Sequence, residues 1–291
     1  MWSDVEKRVA GFLAEAKRPL AVIVGPTASG KTDLSLRIAT RFDGEIINAD
    51  SRQLYSRLDI GTGKIDVSEM KGVPHHLFSV VDPSASVNIG WYQRHARAAI
   101  DDIRTRGRLP IMSGGSMLYI SSIIDGLEPL PSDPQMRATL EKESSESLHS
   151  TLKRIDPEVA AATDPRNRVY LVRAMELAML GKKKGTSNVS DDLIMIGLSV
   201  DRESLRRRVE ERVRTMFAAG WGDEVRGLLE SGVSIDAPSM ESVGYREIAD
   251  ALMRWDPAQN AIPEIVSRTM RYAKRQMTWW KNDKRIHWVK S

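Results

Sequence analysis

One stretch constrains this chain more than any other: Ala21 to Ser35, AVIVGPTASGKTDLS. The apolar run Leu20 to Val24 has the length and β-branched content of a buried strand, and it breaks at Gly25 into a loop that closes on Gly30, Lys31 and Thr32. After it, Leu34, Leu36, Ile38 and Ala39 supply the apolar positions of a helix facing a sheet. Strand, GxxxxGKT loop and helix in that order predict a phosphate-binding loop. The glycines let the backbone curl around Pro26, Thr27, Ala28 and Ser29 so that several amides point at one anion, and the helix N-terminus adds its dipole. Lys31 brings a full charge to the terminal phosphates, and Thr32 is placed to hold a magnesium ion bridging phosphate oxygens. The loop does not say whose phosphates it holds.

The fold class follows. Glu45 to Asp50, EIINAD, reads as a second buried strand and Leu109 to Met112 as a third, with a helix over Trp91 to Arg106 between them whose basic face carries Arg94, Arg97 and Arg104. Leu193 to Val200 returns to the sheet, and an amphipathic helix opens the chain, with Ser3 and Glu6 spaced as a capping box. The expected architecture is α/β, a P-loop NTPase-like parallel sheet flanked by helices, with a small all-helical insertion. The insertion is expected at residues 125–192, between a core of 1–124 and 193–291. It is bracketed by the prolines 129, 131 and 134 and by the non-periodic stretch 181–192, with helices at 136–143, 147–155, 157–162 and 168–180 between.

Several classes are excluded. No cysteine occurs in 291 residues, so disulfides and cysteine-ligated zinc are ruled out. Asp4, Glu6 and Glu15 argue against a signal or transit peptide at the start, and no apolar run approaches membrane length. The expectation is a cytoplasmic, monomeric protein without membrane contact. The pair His75–His76 has no third ligand at metal spacing, which favours a solvated or phosphate-facing pair. A P-loop ATPase carries an acid at the end of the third strand to organise magnesium and water; here the strand runs into Ser113, Gly114, Gly115 and Ser116, which weakens an ATPase reading.

Two regions carry further chemistry. In open α/β sheets ligands sit beyond the carboxyl ends of strands, so Asp50 should stand beside the phosphate loop, where it either caps the next turn or works on a ligand. Near the end, RTMRYAKRQMTWWKNDKR interleaves Arg268, Arg271, Lys274, Arg275, Lys281, Lys284 and Arg285 with Tyr272, Trp279 and Trp280. Cations for phosphates beside aromatics for bases are what a nucleic-acid contact needs, and a net charge of +4 leans the same way. Core packing of one or two of the tryptophans is the alternative. The arginine-dense stretch Glu203 to Ala219 is by itself compatible with a solvated helix.

GPTASGKT, IINADSRQLY, LDIGTGK, PHHL, GGSMLYI, GLEPLP, VGYREI and YAKRQMTWW, in this order from about Leu20 to Trp288, resemble the bacterial tRNA dimethylallyltransferase (tRNA isopentenyltransferase) family. The resemblance implies transfer of a dimethylallyl group from dimethylallyl pyrophosphate to N6 of adenosine 37, next to the anticodon in the tRNA anticodon stem-loop. It also implies that Gly25 to Thr32 binds the donor pyrophosphate, whatever the loop's likeness to an ATP-binding motif, with Thr32 near Mg2+. Carried over by position, Asp50 is the general base, while Ser51, Arg52 and Gln53 contact the tRNA and its target adenine. Arg212, in LxxRxxxRxxxM from Leu205 to Met216, reaches the pyrophosphate, so that Asp50, Lys31, Thr32 and Arg212 form the catalytic set. Ser116 and Arg137 match tRNA-contacting positions, and Arg168, Arg173, Arg271, Lys274 and Arg275 join them as tRNA contacts. A channel between core and insertion would admit base and donor from opposite sides.

The chain departs from the family pattern at three places. Ser116 replaces a threonine and keeps the hydroxyl; Gly63, Lys64 and Ile65 stand where AKP is usual; and in YLVRAME, Tyr170 stands where the family has an arginine, for which Arg168 is the candidate substitute. A P-loop kinase of a small metabolite and an adenylate isopentenyltransferase share the loop but not the need for the basic aromatic tail; a non-catalytic RNA-binding module does not need Asp50.

Overall fold

The computed structural model describes residues 2–127, 133–181 and 189–291. Residues 128–132 and 182–188, which include Pro129 and Pro131 and most of the second joining stretch, lie outside the described residues. The chain divides into two compact units, residues 1–124 with 189–291, and residues 125–188.

The larger unit is built on a six-stranded parallel sheet in the order β3-β2-β4-β1-β5-β6. Its strands are β1 (Pro19–Val24), β2 (Gly44–Asn48), β3 (His75–His76), β4 (Leu109–Ser113), β5 (Asp192–Ser199) and β6 (Ile286–Lys290). A parallel sheet must be covered on both faces, which is why β1 is buried almost throughout and reads as a continuous apolar run. Side chains alternate across it: Leu20, Val22 and Val24 enter one core cluster with Tyr92, Ile120 and Trp280, while Ala21 and Ile23 enter the other with Val5, Leu34 and Ile38. Each of the Leu, Val and Ile side chains among them, fully buried, contributes about 1.5–3 kcal/mol.

Around the sheet lie α1 (Trp2–Glu15), α2 (Lys31–Phe42), α3 (Ile89–Thr105), α4 (Met117–Ile124), α9 (Arg202–Ala218), α10 (Trp221–Glu230), α11 (Tyr245–Met253) and α12 (Ile262–Trp280). Helix α1 begins at Trp2, so Ser3 sits inside its first turn and is not its cap. The expected basic face of α3 is in part internal. Arg97 and Arg104 both bind Asp191, which is almost wholly buried just before β5, and Arg97 also donates to the carbonyl of Ile123. That clasp places residues 189–192 with the sheet.

The smaller unit contains α5 (Pro134–Leu140), α6 (Ser145–Ile155), α7 (Pro157–Ala162) and α8 (Arg168–Met179) around Leu148, Leu152, Leu171 and Met175. Prolines at the first helical positions and the side chains of Asp133, Ser144, Asp156 and Asn167 start these helices by satisfying free amides. Buried Glu176 accepts from Arg137 and Arg173 at 2.6 and 2.5 Å; burial raises its pKa, but the two guanidiniums outweigh that and hold it at about 2.

Candidate active site

The carboxyl ends of β1, β2 and β4 open onto the Gly25–Thr32 loop. Gly30 caps α2 in a left-handed conformation, φ 89°, and Lys31 turns back so that its Nζ donates to the carbonyls of Gly25 at 3.0 Å and Pro26 at 2.7 Å. Burial lowers the pKa of Lys31 to about 8; the charge of Asp50 raises it and that of Arg212 lowers it further. Thr32 is exposed at the start of the helix.

The loop is held from the far end of the chain. Gln276 of α12, 1% exposed, accepts from the amide of Thr27 at 2.8 Å and donates to the carbonyl of Gly115 at 2.9 Å, where the hydroxyl of Tyr272 also donates at 2.7 Å. Gly115 admits this crowding because a Cβ there would lie 2.8 Å from the Gln276 amide and 3.0 Å from Asp50 Oδ2. Sequence reasoning missed Gln276; the only signal was its place in AKRQ.

Asp50 follows β2, lines a cavity together with the Gly25–Thr32 loop, and caps the next turn. Its Oδ1 accepts from the amide of Arg52 at 2.9 Å, the turn cap, while Oδ2 stands beside Gly115. Asn48 fixes the turn by accepting from the Asp50 amide at 2.8 Å and donating to its carbonyl at 3.0 Å. Ser116 accepts from the amide of Ser51 at 2.8 Å and donates to its hydroxyl at 3.1 Å, so these two residues anchor each other. Arg52 donates to the carbonyl of Pro238 at 2.5 Å.

Gln53 reaches the segment 59–64, donating to the carbonyls of Thr62 at 3.0 Å and Gly63 at 3.3 Å. From the other side the carboxylate of Glu224 in α10 accepts from the amides of Asp59, Ile60 and Gly61 at 2.8, 2.7 and 3.2 Å, and from the hydroxyl of Tyr245 at 2.6 Å. This fixes Gly63, φ +58°, under Arg212: a Cβ there would lie 1.8 Å from its Nη2. Burial lowers the pKa of Arg212 and the charge of Asp50 opposes that shift.

Two cavities meet at these residues. One of about 290 Å³ is lined by the Thr27–Thr32 backbone and side chains, Gln53, Gly63, His75 and Gly115. The other, about 250 Å³, has an apolar wall of Val209, Val213, Met216, Trp221 and Ile265 and a polar rim of Arg52, Glu241, Arg268 and Arg275. Thr27, Ala28, Asp50, Thr62 and Arg212 line both. The arrangement offers an anion site and an apolar site with one carboxylate and one guanidinium at their junction.

The remaining expected residues divide. Arg275 lines the second cavity and lies over the Tyr272 ring at 5.6 Å, whereas Arg271 and Lys274 face a different groove. Arg268 pairs with buried Glu247, and Trp280 is core while Trp279 is half-exposed. In the smaller unit Arg168 donates to the carbonyls of Glu141 and Glu143, both at 2.6 Å, and so braces the end of α5. The histidines also separate: His75 lines the first cavity, and His76 bonds Glu45 at 2.6 Å beside Arg106 and Arg108. Among the described residues no cluster of three His, Cys, Asp or Glu could cage a metal.

The family model described as IPP transferase matches residues 53–283. A tRNA dimethylallyltransferase of Geobacter sulfurreducens is 40% identical over 292 residues, covering 96% of this chain and 94% of its own length. One from Thermobifida fusca is 41% identical over 281 residues, covering 92% and 88%. The crystal structure of full-length tRNA isopentenylpyrophosphate transferase from Bacillus halodurans superposes with a TM-score of 0.72 at 38% identity, over 94% of this chain and 90% of that one. A eukaryotic dimethylallyltransferase acting on tRNA gives 0.81 at 26% identity, over 94% and 74%.

Proposed function

The chain belongs to the IPP transferase family, and from that premise we propose that it transfers a dimethylallyl group from dimethylallyl pyrophosphate to N6 of adenosine 37 of tRNA, with Asp50 as the base. One observation carries the reading: Asp50 and Arg212 stand on the wall common to the anion-binding cavity and the apolar one. The pyrophosphate lies along the Gly25–Thr32 amides, and the apolar wall from Val209 to Ile265 receives the dimethylallyl chain and the target base.

The bond between the allylic carbon and the pyrophosphate oxygen breaks as the N6–carbon bond forms. Charge gathers on the leaving oxygen, where Lys31, Arg212 and the loop amides neutralise it; stabilising developing charge by fixed donors is usually the largest single contribution to such a barrier. The amine loses its proton to Asp50 Oδ2, the oxygen not occupied in capping Arg52. Extruding the base is cheapest in a single-stranded loop.

The residues fit a magnesium ion held by the Thr32 hydroxyl, phosphate oxygens and water, since that ion keeps several waters and needs few protein ligands. It would add positive charge on the leaving group. No helix among the described residues is long and apolar enough to cross a membrane.

Labelled dimethylallyl pyrophosphate incubated without ATP, with tRNA in one arm and AMP in the other, tests the reading. Label on one adenosine of the tRNA supports it. Label on AMP would make the chain an adenylate isopentenyltransferase, and phosphate transfer from ATP with no prenyl transfer would make it a kinase.

A further inference from the structure

The notable feature outside the two cavities is a groove of about 640 Å³ between α9 and α12. Arg202 and Arg206 come from the first turns of α9, Arg271 and Lys274 from α12, and buried Leu205 and Val266 lie between them. No aspartate or glutamate lines it. All four cations are exposed, and among the described residues Arg202, Arg271 and Lys274 have no charged or hydrogen-bonded partner. Arg206 bonds Glu210 at 2.8 Å, but an exposed pair one turn apart is weak and readily exchanged for another anion.

The arrangement selects an extended polyanion. A single compact anion is held by donors converging on one point, as at the Gly25–Thr32 loop, whereas here cations from two helices are strung along a channel, with Arg202 and Arg206 about one 5.4 Å turn apart. The apolar residues Leu205, Val266 and Met270 share the lining with these cations. The opposite face of α12 sends Tyr272 and Arg275 into the cavity with Asp50, so the groove is about one helix diameter, roughly 10 Å, from the reacting centre. Aromatic side chains, which a base-stacking track would need, are absent from its lining.

We propose that this groove holds the phosphate backbone of the substrate tRNA beside the target loop, and that it supplies affinity and register without reading bases. Backbone contacts of this kind position a nucleic acid and carry no sequence information. The inference rests on the tRNA reading above and extends it to the N-terminal turns of α9, where Arg202 has no other partner among the described residues and Arg206 has only its exposed pair with Glu210.

The test is the salt dependence of tRNA binding by the wild type, the double variant Arg202→Ala/Arg206→Ala and the charge-keeping variant Arg202→Lys/Arg206→Lys, with prenylation of the same tRNA by the wild type measured alongside. The alanine pair should flatten the log–log slope by about 1.4–1.8, since each neutralised phosphate contributes about 0.7–0.9, and the lysine pair should keep the wild-type slope because phosphate contacts need charge more than a planar fork. A wild-type slope in the alanine pair, or a slope as shallow in the lysine pair, overturns the proposal. The two readings fail separately: a wild type that prenylates tRNA with an unaltered slope in the alanine pair loses the groove alone, and one that does not prenylate tRNA loses the function.

Discussion

Gln276, buried in α12, accepts a hydrogen bond from the backbone amide of Thr27 at 2.8 Å, across 249 residues of chain. Because its other end donates to Gly115, one side chain ties the Gly25–Thr32 loop to the loop beside Asp50. Gln276→Glu keeps the acceptor but sets a carboxylate against the Gly115 carbonyl. The expected result is a loss of about 1–3 kcal/mol in stability, the cost of an unsatisfied buried polar group, with kcat/KM for the donor down by about tenfold or more. Thermal unfolding and initial rates on one preparation check it, and an unchanged donor KM and kcat would show that the tie does not shape the site.

Glu224 acts through the segment it holds. Glu224→Gln leaves one acceptor oxygen where two now serve three amides and a phenol, and points an NH2 group at the backbone amides. The expected outcome is about a tenfold loss in kcat/KM with tRNA affinity kept, because Gly63 and Arg212 shift together. Tyr245→Phe removes one of the four bonds and should cost much less. Equal losses in the two variants would contradict the assignment.

The pH dependence of donor use follows from Lys31. Burial lowers its pKa to about 8, so in the free protein its charge is present below that pH and is lost as pH rises through it. Donor kcat/KM should therefore fall above about pH 8. Once pyrophosphate is bound, its negative charge raises the lysine pKa, so kcat should hold to higher pH than kcat/KM. Lys31→Arg should remove the alkaline limb, since a guanidinium does not titrate there. A flat kcat/KM between pH 7 and 10 in the wild type would show that Lys31 does not neutralise the donor.

Much of this was legible from local pattern. Apolar runs of strand length gave β1 and β4 within a residue and β2 within two, because strands covered on both faces read as near-continuous apolar runs. What stayed hidden depends on partners distant in sequence. Strand β3 is two residues long and β6 follows a cation-rich turn, so neither has periodicity to read. Arg97 and Arg104 looked like a basic surface because Asp191, their partner, is about ninety residues away. The separation of Lys274 from Arg275 was available: adjacent helical positions differ by 100° of rotation, enough to put one side chain in the cavity and the other in the groove. Reading the tail as one basic patch ignored that rotation.

The central claim is that Asp50 takes the proton from the attacking amine. Single-turnover prenylation by Asp50→Asn, with tRNA binding measured on the same protein, tests it most directly, because asparagine caps a turn about as well as aspartate and so preserves the bond to Arg52. The chemical step should slow by about 10² to 10⁴ while tRNA affinity is nearly kept. A slowing of less than about fivefold, against the 10² or more that loss of a general base costs, would contradict the claim and leave Asp50 as the cap of its turn.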